Sequence, residues 1–175
     1  MELQILHAIQ GIHQDWLTEI LRFLTTIGES GAVWIVLSII LACIPKTRKC
    51  GLTMMLAMAI TYLLGNLFLK NVIARPRPCA VDPSVTLKIP YPSEYSFPSG
   101  HTSNGFTAAV TIFYYYRKAG IVSLVMAAVI AFSRLYFFVH YPTDILGGLV
   151  LGTLDALLAV WIVKKITERK HKKQS

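Results

Sequence analysis

The feature that most constrains this chain is an alternation. Blocks of apolar residues follow one another, and every second block stops at a small basic cluster. The blocks run over residues 30–44, 52–69, 103–116, 120–139 and 144–163. Lys46, Arg48 and Lys49 close the first, Arg117 and Lys118 the third, and Lys164, Lys165, Arg169, Lys170, Lys172 and Lys173 the fifth. Segments this apolar satisfy their backbone as helices within a bilayer. Hydrophobic residues make up 54% of the chain and charged ones 15%, against roughly 25% charged in a soluble domain. The expectation is therefore an all-α, polytopic membrane helix bundle with about five transmembrane helices. The first block is short of the roughly 17–25 residues that a spanning helix needs, and is expected to borrow from "TTIGE" or to sit in a thinned bilayer.

The basic clusters also orient the bundle. Eleven of the seventeen Lys and Arg residues lie in them, and basic residues at the ends of spans mark the cytoplasmic side. A net charge of +8 could serve nucleic acid, but charges at block ends do not form one interleaved face, so no nucleic-acid partner is expected. With all three clusters inside, the blocks alternate without a misfit, and residues 70–101 and 134–144 meet at the extracytoplasmic surface. The chain is thus expected in the cell membrane, multi-pass, with a cytoplasmic C-terminus.

The N-terminal residues lack the basic start and small-residue cleavage site of a signal peptide. Ile5, Ile9, Ile12, Trp16, Ile20 and Leu24 recur at helical spacing, with Gln4, His7, Gln14, Asp15 and Arg22 between them. That pattern suits a helix lying in the membrane interface, ending at Gly28. One domain over 1–175 is expected, with an interfacial helix over 1–28, a helix bundle over 29–163 and a basic cytoplasmic tail over 164–175. Cys43, Cys50 and Cys79 share no metal-ligand spacing and suggest no disulfide framework. Gly148 and Gly152 form a small-xxx-small pair, which fits packing within one chain or in a homo-oligomer.

Three segments gather at the outer surface: "KNVIARPRP" (70–78), "FPSGHTS" (97–103) and "SRLYFFVHYPTD" (133–144). Lys70, Arg75, Arg77 and Arg134 stand there against the positive-inside bias, and ionisable residues at membrane depth point to function. Converging cations want an anion, and the Arg fork matches phosphate oxygens. Gly100 allows close backbone approach, the N–H groups opening the third helix favour an anion, and Ser99 can donate its hydroxyl. His101 beside them can serve as a general acid. His140 and Asp144, four apart, share a helical face, with Pro142 suited to a first turn. A carboxylate on one imidazole nitrogen leaves the other free to attack. Together these are the parts for phosphoryl transfer through a phosphohistidine. Taken singly, each has a plainer reading: cations snorkelling to headgroups, a helix cap, an interfacial histidine. Their meeting on one side of one topology favours the joint reading.

The spacing of Lys70, Arg77-Pro78, Pro98-Ser99-Gly100-His101, Ser133-Arg134, His140 and Asp144 resembles the three-part signature of the type-2 phosphatidic acid phosphatase superfamily. That superfamily holds membrane lipid phosphatases and the soluble vanadium-dependent haloperoxidases. The resemblance implies His140 as nucleophile, Asp144 as its orienting acid and His101 as the acid for the leaving oxygen. It implies Lys70, Arg77, Ser99, Gly100 and Arg134 as phosphoryl ligands, with no metal or other cofactor. A lipid phosphate or diphosphate in the bilayer is the implied substrate, undecaprenyl diphosphate first, with phosphatidylglycerophosphate and phosphatidic acid as alternatives. Lipid phosphatases of the family often have six spans, where this N-terminus reads as interfacial. A non-catalytic anion-binding membrane protein or transporter is the reading from another class, but it has no use for the two histidines. Arg75 lies outside the signature and could contact a second phosphate or a headgroup. Glu29 and Glu94 could shape headgroup choice or be solvated loop acids. Asp155, part-way down the fifth block, should face the bundle interior and bond a hydroxyl or Tyr.

Overall fold

The computed structural model describes residues 1–174. Among them the chain forms helices joined by turns and loops: α1 (Glu2–Gln10), α2 (Asp15–Ile27), α3 (Ala32–Cys43), α4 (Arg48–Thr61), α5 (Lys70–Ile73), α6 (Pro78–Val81), α7 (Gly100–Tyr115), α8 (Arg117–Tyr136) and α9 (Pro142–Gln174). A π-helical segment, Tyr62–Leu69, joins α4 to α5. Each apolar block became a helix.

Burial runs opposite to that of a water-soluble domain. Leu63, Phe68, Val122, Val125, Leu146, Leu154 and Trp161 point outward, while Thr53, Thr61, Thr102, Thr107, Thr111 and Asp155 are buried. Apolar surface costs nothing against lipid tails, so small and hydroxyl-bearing residues go where helices touch. Three helical runs are long and apolar enough to cross a membrane: Arg48–Val81, Arg117–Tyr136 and Pro142–Arg169. The pair α2 and α3, bent by 53°, is apolar enough only when taken together, as one broken span or a re-entrant pair. At 16 residues α7 is shorter. It packs against α4, α8 and α9, and its inner faces are lined by Ser103, Gly105, Thr107, Ala108 and Thr111.

Close approach of α9 to α7 depends on the glycine pair. A Cβ on Gly148 would lie 2.8 Å from the Ser99 carbonyl oxygen, and one on Gly152 would lie 3.0 Å from the Thr107 amide nitrogen. The pair therefore packs within one chain. Asp155, one turn further, accepts from the Thr61 hydroxyl at 2.8 Å, and Thr61 bonds Thr107 at 2.7 Å. The expected hydroxyl partner is in place.

The basic clusters at 46–49 and 117–118 share one end, since the Tyr116 hydroxyl donates to the Lys46 carbonyl at 2.8 Å. In the turn between α3 and α4, Thr47 Oγ1 and Arg48 Nε reach back to the Leu41 and Ala42 carbonyls, at 2.8 and 3.2 Å. These side chains satisfy carbonyls that the end of α3 leaves unpaired.

Two segments have helix boundaries that differ from the expected ones. The segment 1–28 is two helices, broken at Gly11–Gln14, and α2 joins α3 as one bent apolar run. The break follows from docking: the His13 ring stacks on Tyr136 with centroids 3.9 Å apart, and Gln10 and His13 reach the Tyr136 carbonyl at 3.1 and 2.8 Å. Thr18 also meets the Tyr136 hydroxyl at 2.7 Å. The expected tail at 164–175 continues α9 as helix to Gln174; Ser175 lies outside the described residues.

Candidate active site

At the end opposite those two basic turns, a cavity of about 820 Å3 opens between α2, α4, the π segment, α7 and the loop before α7. Lys70, Arg77, Gly100, His101, Arg134 and His140 line it. These come from all three segments singled out in the sequence. Each is positioned by a different local device.

Tyr62, Asn66 and Lys70, each four residues after the last, line the cavity along the π segment and the start of α5. Beyond α5 the backbone turns at Ala74, which has φ of 47°, a left-handed conformation that a non-glycine residue adopts only when its surroundings demand it. The turn brings Arg77 back across the site. Its Nε donates to the Glu94 carbonyl at 2.7 Å and its Nη1 to the Val139 carbonyl at 2.9 Å. Arg77 Nη1 also lies 3.0 Å from His140 Nε2. Lys70 is buried and pairs with the Glu94 carboxylate. That bond to Lys70 is the main reason the Glu94 carboxyl titrates below the usual range.

Ser99 is the N-cap of α7 and Gly100 its first residue. The Ser99 hydroxyl accepts from Thr102 at 3.0 Å, which leaves its own proton to donate. The Ser99 amide donates to the Asp144 carbonyl at 3.1 Å, tying this loop to α9. His101 Nε2 lies 3.2 Å from the Thr25 carbonyl, and Arg134 Nη1 donates to Thr25 Oγ1 at 2.5 Å. Arg134 is buried, and its Nε has no hydrogen-bond partner among the described residues. A buried guanidinium N–H with no partner in the protein fits an anion.

His140 and Asp144 meet by a different geometry from the one expected. His140 precedes α9, so the two do not share a helical face. Pro142 opens the helix as anticipated, Tyr141 caps it, and the Asp144 carboxylate reaches back to the Tyr141 amide at 2.8 Å, as the third residue does in a capping box. The same oxygen, Oδ2, accepts from Ser96 Oγ at 2.5 Å and lies 3.5 Å from His140 Nδ1. Ser96 is thus a third member of the pair. The residue order does not single it out, although it sits in the polar run before α7, because a lone serine carries no spacing signal.

His140 is 2% exposed. Burial is the largest influence on its imidazole and holds it at about 3, far below the usual histidine range, with the Asp144 carboxylate pulling the other way. A neutral ring whose Nδ1 faces the carboxylate keeps the lone pair of Nε2 toward the cavity.

Arg75 is also corrected. It faces away from the cavity, donating from Nη1 to Asp144 Oδ1 and Thr143 Oγ1, each at 2.7 Å, and from Nη2 to Glu2 Oε2 at 2.7 Å. Glu29 lines the cavity. Among the described residues, no group of three or more His, Cys, Asp or Glu side chains is arranged to hold a metal ion.

Comparison with known proteins agrees with this geometry. The model of the PAP2 superfamily matches residues 50–168. The chain belongs to the PAP2 superfamily. Among its relatives is an undecaprenyl-diphosphatase of Sulfolobus acidocaldarius, 35% identical over 159 residues, which are 87% of this chain and 76% of the relative. Undecaprenyl-diphosphatase BcrC of Bacillus subtilis is 30% identical over 164 residues, 90% of this chain and 82% of the relative. The crystal structure of a transmembrane PAP2-type phosphatidylglycerolphosphate phosphatase from Bacillus subtilis superposes with a TM-score of 0.76 at 29% identity, over 93% of this chain and 84% of that one. This PAP2 chain is a multi-pass membrane phosphatase. The superfamily match begins at Cys50, so α1, α2 and α3, which supply Glu2 and Thr25 to the site, lie outside it.

Proposed function

We propose that this PAP2 phosphatase hydrolyses a lipid phosphate or diphosphate at the extracytoplasmic face of the cell membrane, with undecaprenyl diphosphate as the first candidate. The observation that carries the reading is His140 Nε2, kept neutral by burial, facing a cavity ringed by Lys70, Arg77 and Arg134. In the proposed reaction Nε2 attacks the terminal phosphorus, a P–N bond forms, and the bond from that phosphorus to the leaving oxygen breaks, an oxygen of the lipid alcohol in a monophosphate or of the inner phosphate in a diphosphate. His101, charged once the phosphate anion sits beside it, gives a proton to that leaving oxygen and becomes neutral. Water then attacks phosphorus while His101 takes up its proton, the P–N bond breaks and inorganic phosphate leaves. Asp144 holds the imidazolium that forms in the first step. Lys70, Arg77, Arg134, the Ser99 hydroxyl and the Gly100 backbone bind the phosphoryl oxygens.

The apolar flank of the cavity supports a lipid substrate. Ile35, Met55, Met58 and Ala59 continue from the cationic ring down between α3 and α4, where an acyl or isoprenoid chain would find apolar walls. The relatives named as undecaprenyl-diphosphatases favour that substrate. The likeness to the phosphatidylglycerolphosphate phosphatase structure favours the second candidate.

The test is phosphate release in detergent from undecaprenyl diphosphate, phosphatidylglycerophosphate and phosphatidic acid, assayed side by side. The wild-type chain should turn over the first fastest, and His140→Ala should abolish turnover while staying folded. Retained turnover in His140→Ala would overturn the nucleophile. For the membrane side, Lys88→Cys in a Cys43→Ser background should react with an impermeant maleimide on intact cells. Labelling only after lysis would reverse the orientation.

A further inference from the structure

Behind the Asp144 carboxylate, on the side away from the cavity, lies a ring of polar contacts that the proposed chemistry leaves unused. Arg75 Nη1 bridges Asp144 Oδ1 and Thr143 Oγ1 at 2.7 Å each, and its Nη2 meets Glu2 Oε2 at 2.7 Å. The other Glu2 oxygen accepts from the Thr143 amide at 3.1 Å and from its hydroxyl at 2.8 Å. The guanidinium lies over the Tyr141 ring, 3.8 Å from its centroid. Asp144 is fully buried, whereas Arg75 and Glu2 are about a quarter exposed. The two carboxylate oxygens therefore have separate partners, Oδ1 on Arg75 and Oδ2 toward Ser96 and His140.

We propose that Arg75, braced by Glu2 at the N-terminus, is a positioning residue that fixes the Asp144 carboxylate and sets how strongly it acts on His140. The inference rests on the reading of His140 as nucleophile. A planar guanidinium held on one side by Glu2, and against Tyr141, cannot swing to follow the carboxylate, so it locks the carboxylate's rotation. Its charge also offsets part of the charge that Asp144 presents to the ring. The groups facing the pair are Arg75 and Glu2 on one side, and Arg77, Arg134 and His101 from the cavity. Removing Arg75 takes away the charge that offsets Asp144 and leaves its carboxylate freer to stabilise an imidazolium. That moves loss of the neutral nucleophile to higher pH.

This device starts from the second residue of the chain, far outside the superfamily match. It gives the N-terminal helix a chemical task besides lying against the bundle.

The experiment compares kcat, KM and the acid limb of kcat/KM for full-length wild type, Arg75→Ala, Arg75→Lys and Glu2→Gln in detergent. Loss of a charged hydrogen bond behind the pair should lower kcat of Arg75→Ala about tenfold with KM within about twofold. Its acid limb should move up by about one pH unit, and Arg75→Lys, which keeps the charge, should return the limb toward wild type. Glu2→Gln keeps one acceptor oxygen and so loses the bonds either to Arg75 or to Thr143, and should lower kcat about threefold without raising the limb. Arg75→Gln replaces Arg75→Ala if the latter does not fold, with the same expected limb. An unmoved limb on loss of the Arg75 charge, or a limb equally raised in Arg75→Lys, would overturn the proposal. A wild-type chain that releases no phosphate, or an active His140→Ala, would instead overturn the underlying reading.

Discussion

Ser96 donates to Asp144 at 2.5 Å, on the same carboxylate oxygen that faces His140 Nδ1 at 3.5 Å. The hydroxyl fills the space between acid and imidazole and is buried there. It orients the carboxylate from the front, as Arg75 does from behind.

Ser96→Ala should therefore weaken catalysis more than binding. A hydrogen bond to a charged group contributes about 1.5–3 kcal/mol, which corresponds to a kcat about ten- to a hundredfold lower with KM little changed. Steady-state kinetics on a soluble lipid phosphate would check it. A rise in KM at constant kcat would assign Ser96 to substrate binding.

The His140 environment sets a pH dependence whose sign can be worked out. Its folded value, about 3, lies below the roughly 6.5 of an unfolded histidine. The unfolded chain then binds more protons in acid, so stability is full above pH of about 6.5 and falls progressively toward pH 3. Glu94, also lowered, adds a loss of the same sign below its ordinary range. Thermal unfolding in detergent from pH 7 to pH 4 should show a falling Tm, and a shallower fall in His140→Ala.

Lys70 reaches the phosphoryl site already paired with Glu94. An incoming anion must share that ammonium group with a carboxylate. Glu94→Gln removes the competing charge, so inhibition by vanadate or inorganic phosphate should tighten severalfold, an effect that added salt reduces. An unchanged inhibition constant would mean that Lys70 lies outside the anion's reach.

Gly148 lies where α9 touches the Ser99 loop. A methyl group there would come within 2.8 Å of the Ser99 carbonyl, so the helices must part. Gly148→Ala should destabilise by about 1–3 kcal/mol and lower activity by displacing Ser99 and Gly100. Leu154→Ala, on the outward face of the same helix, should leave activity near wild type. Thermal stability and turnover measured together would separate the two.

Much of the molecule was legible in the residue order. Apolar blocks must become helices in a bilayer because no other single-segment structure satisfies its backbone there, and the basic clusters at their ends set the alternation. That reasoning carried Lys70, Arg77, His101, Arg134 and His140 to one end of the bundle, where they line one cavity. Rigid loop geometry had been compressed into spacings such as that from Pro98 to His101, and spacing survives in a linear text.

Contacts made across the fold had no such trace. Ser96 beside Asp144, Thr25 beside Arg134, and Glu2 beside Arg75 pair residues 48, 109 and 73 positions apart. Ser96 and Thr25 are short polar residues in a helix or loop of ordinary composition, and Glu2 is a single acid at the start of a helix. Arg75 reads as a contact for a second phosphate or a headgroup because its neighbours in sequence are apolar or basic; its acidic partners, Glu2 and Asp144, lie 73 and 69 positions away. The break at Gly11–Gln14 was hidden as well, since one helical period runs through it and docking on Tyr136 opens it. Local physics in a membrane determined which segments are helices, and which charged residues they carry to one surface. How the carboxylate, the imidazole and the guanidinium groups are aimed was decided by tertiary packing, because orientation depends on what stands behind each group.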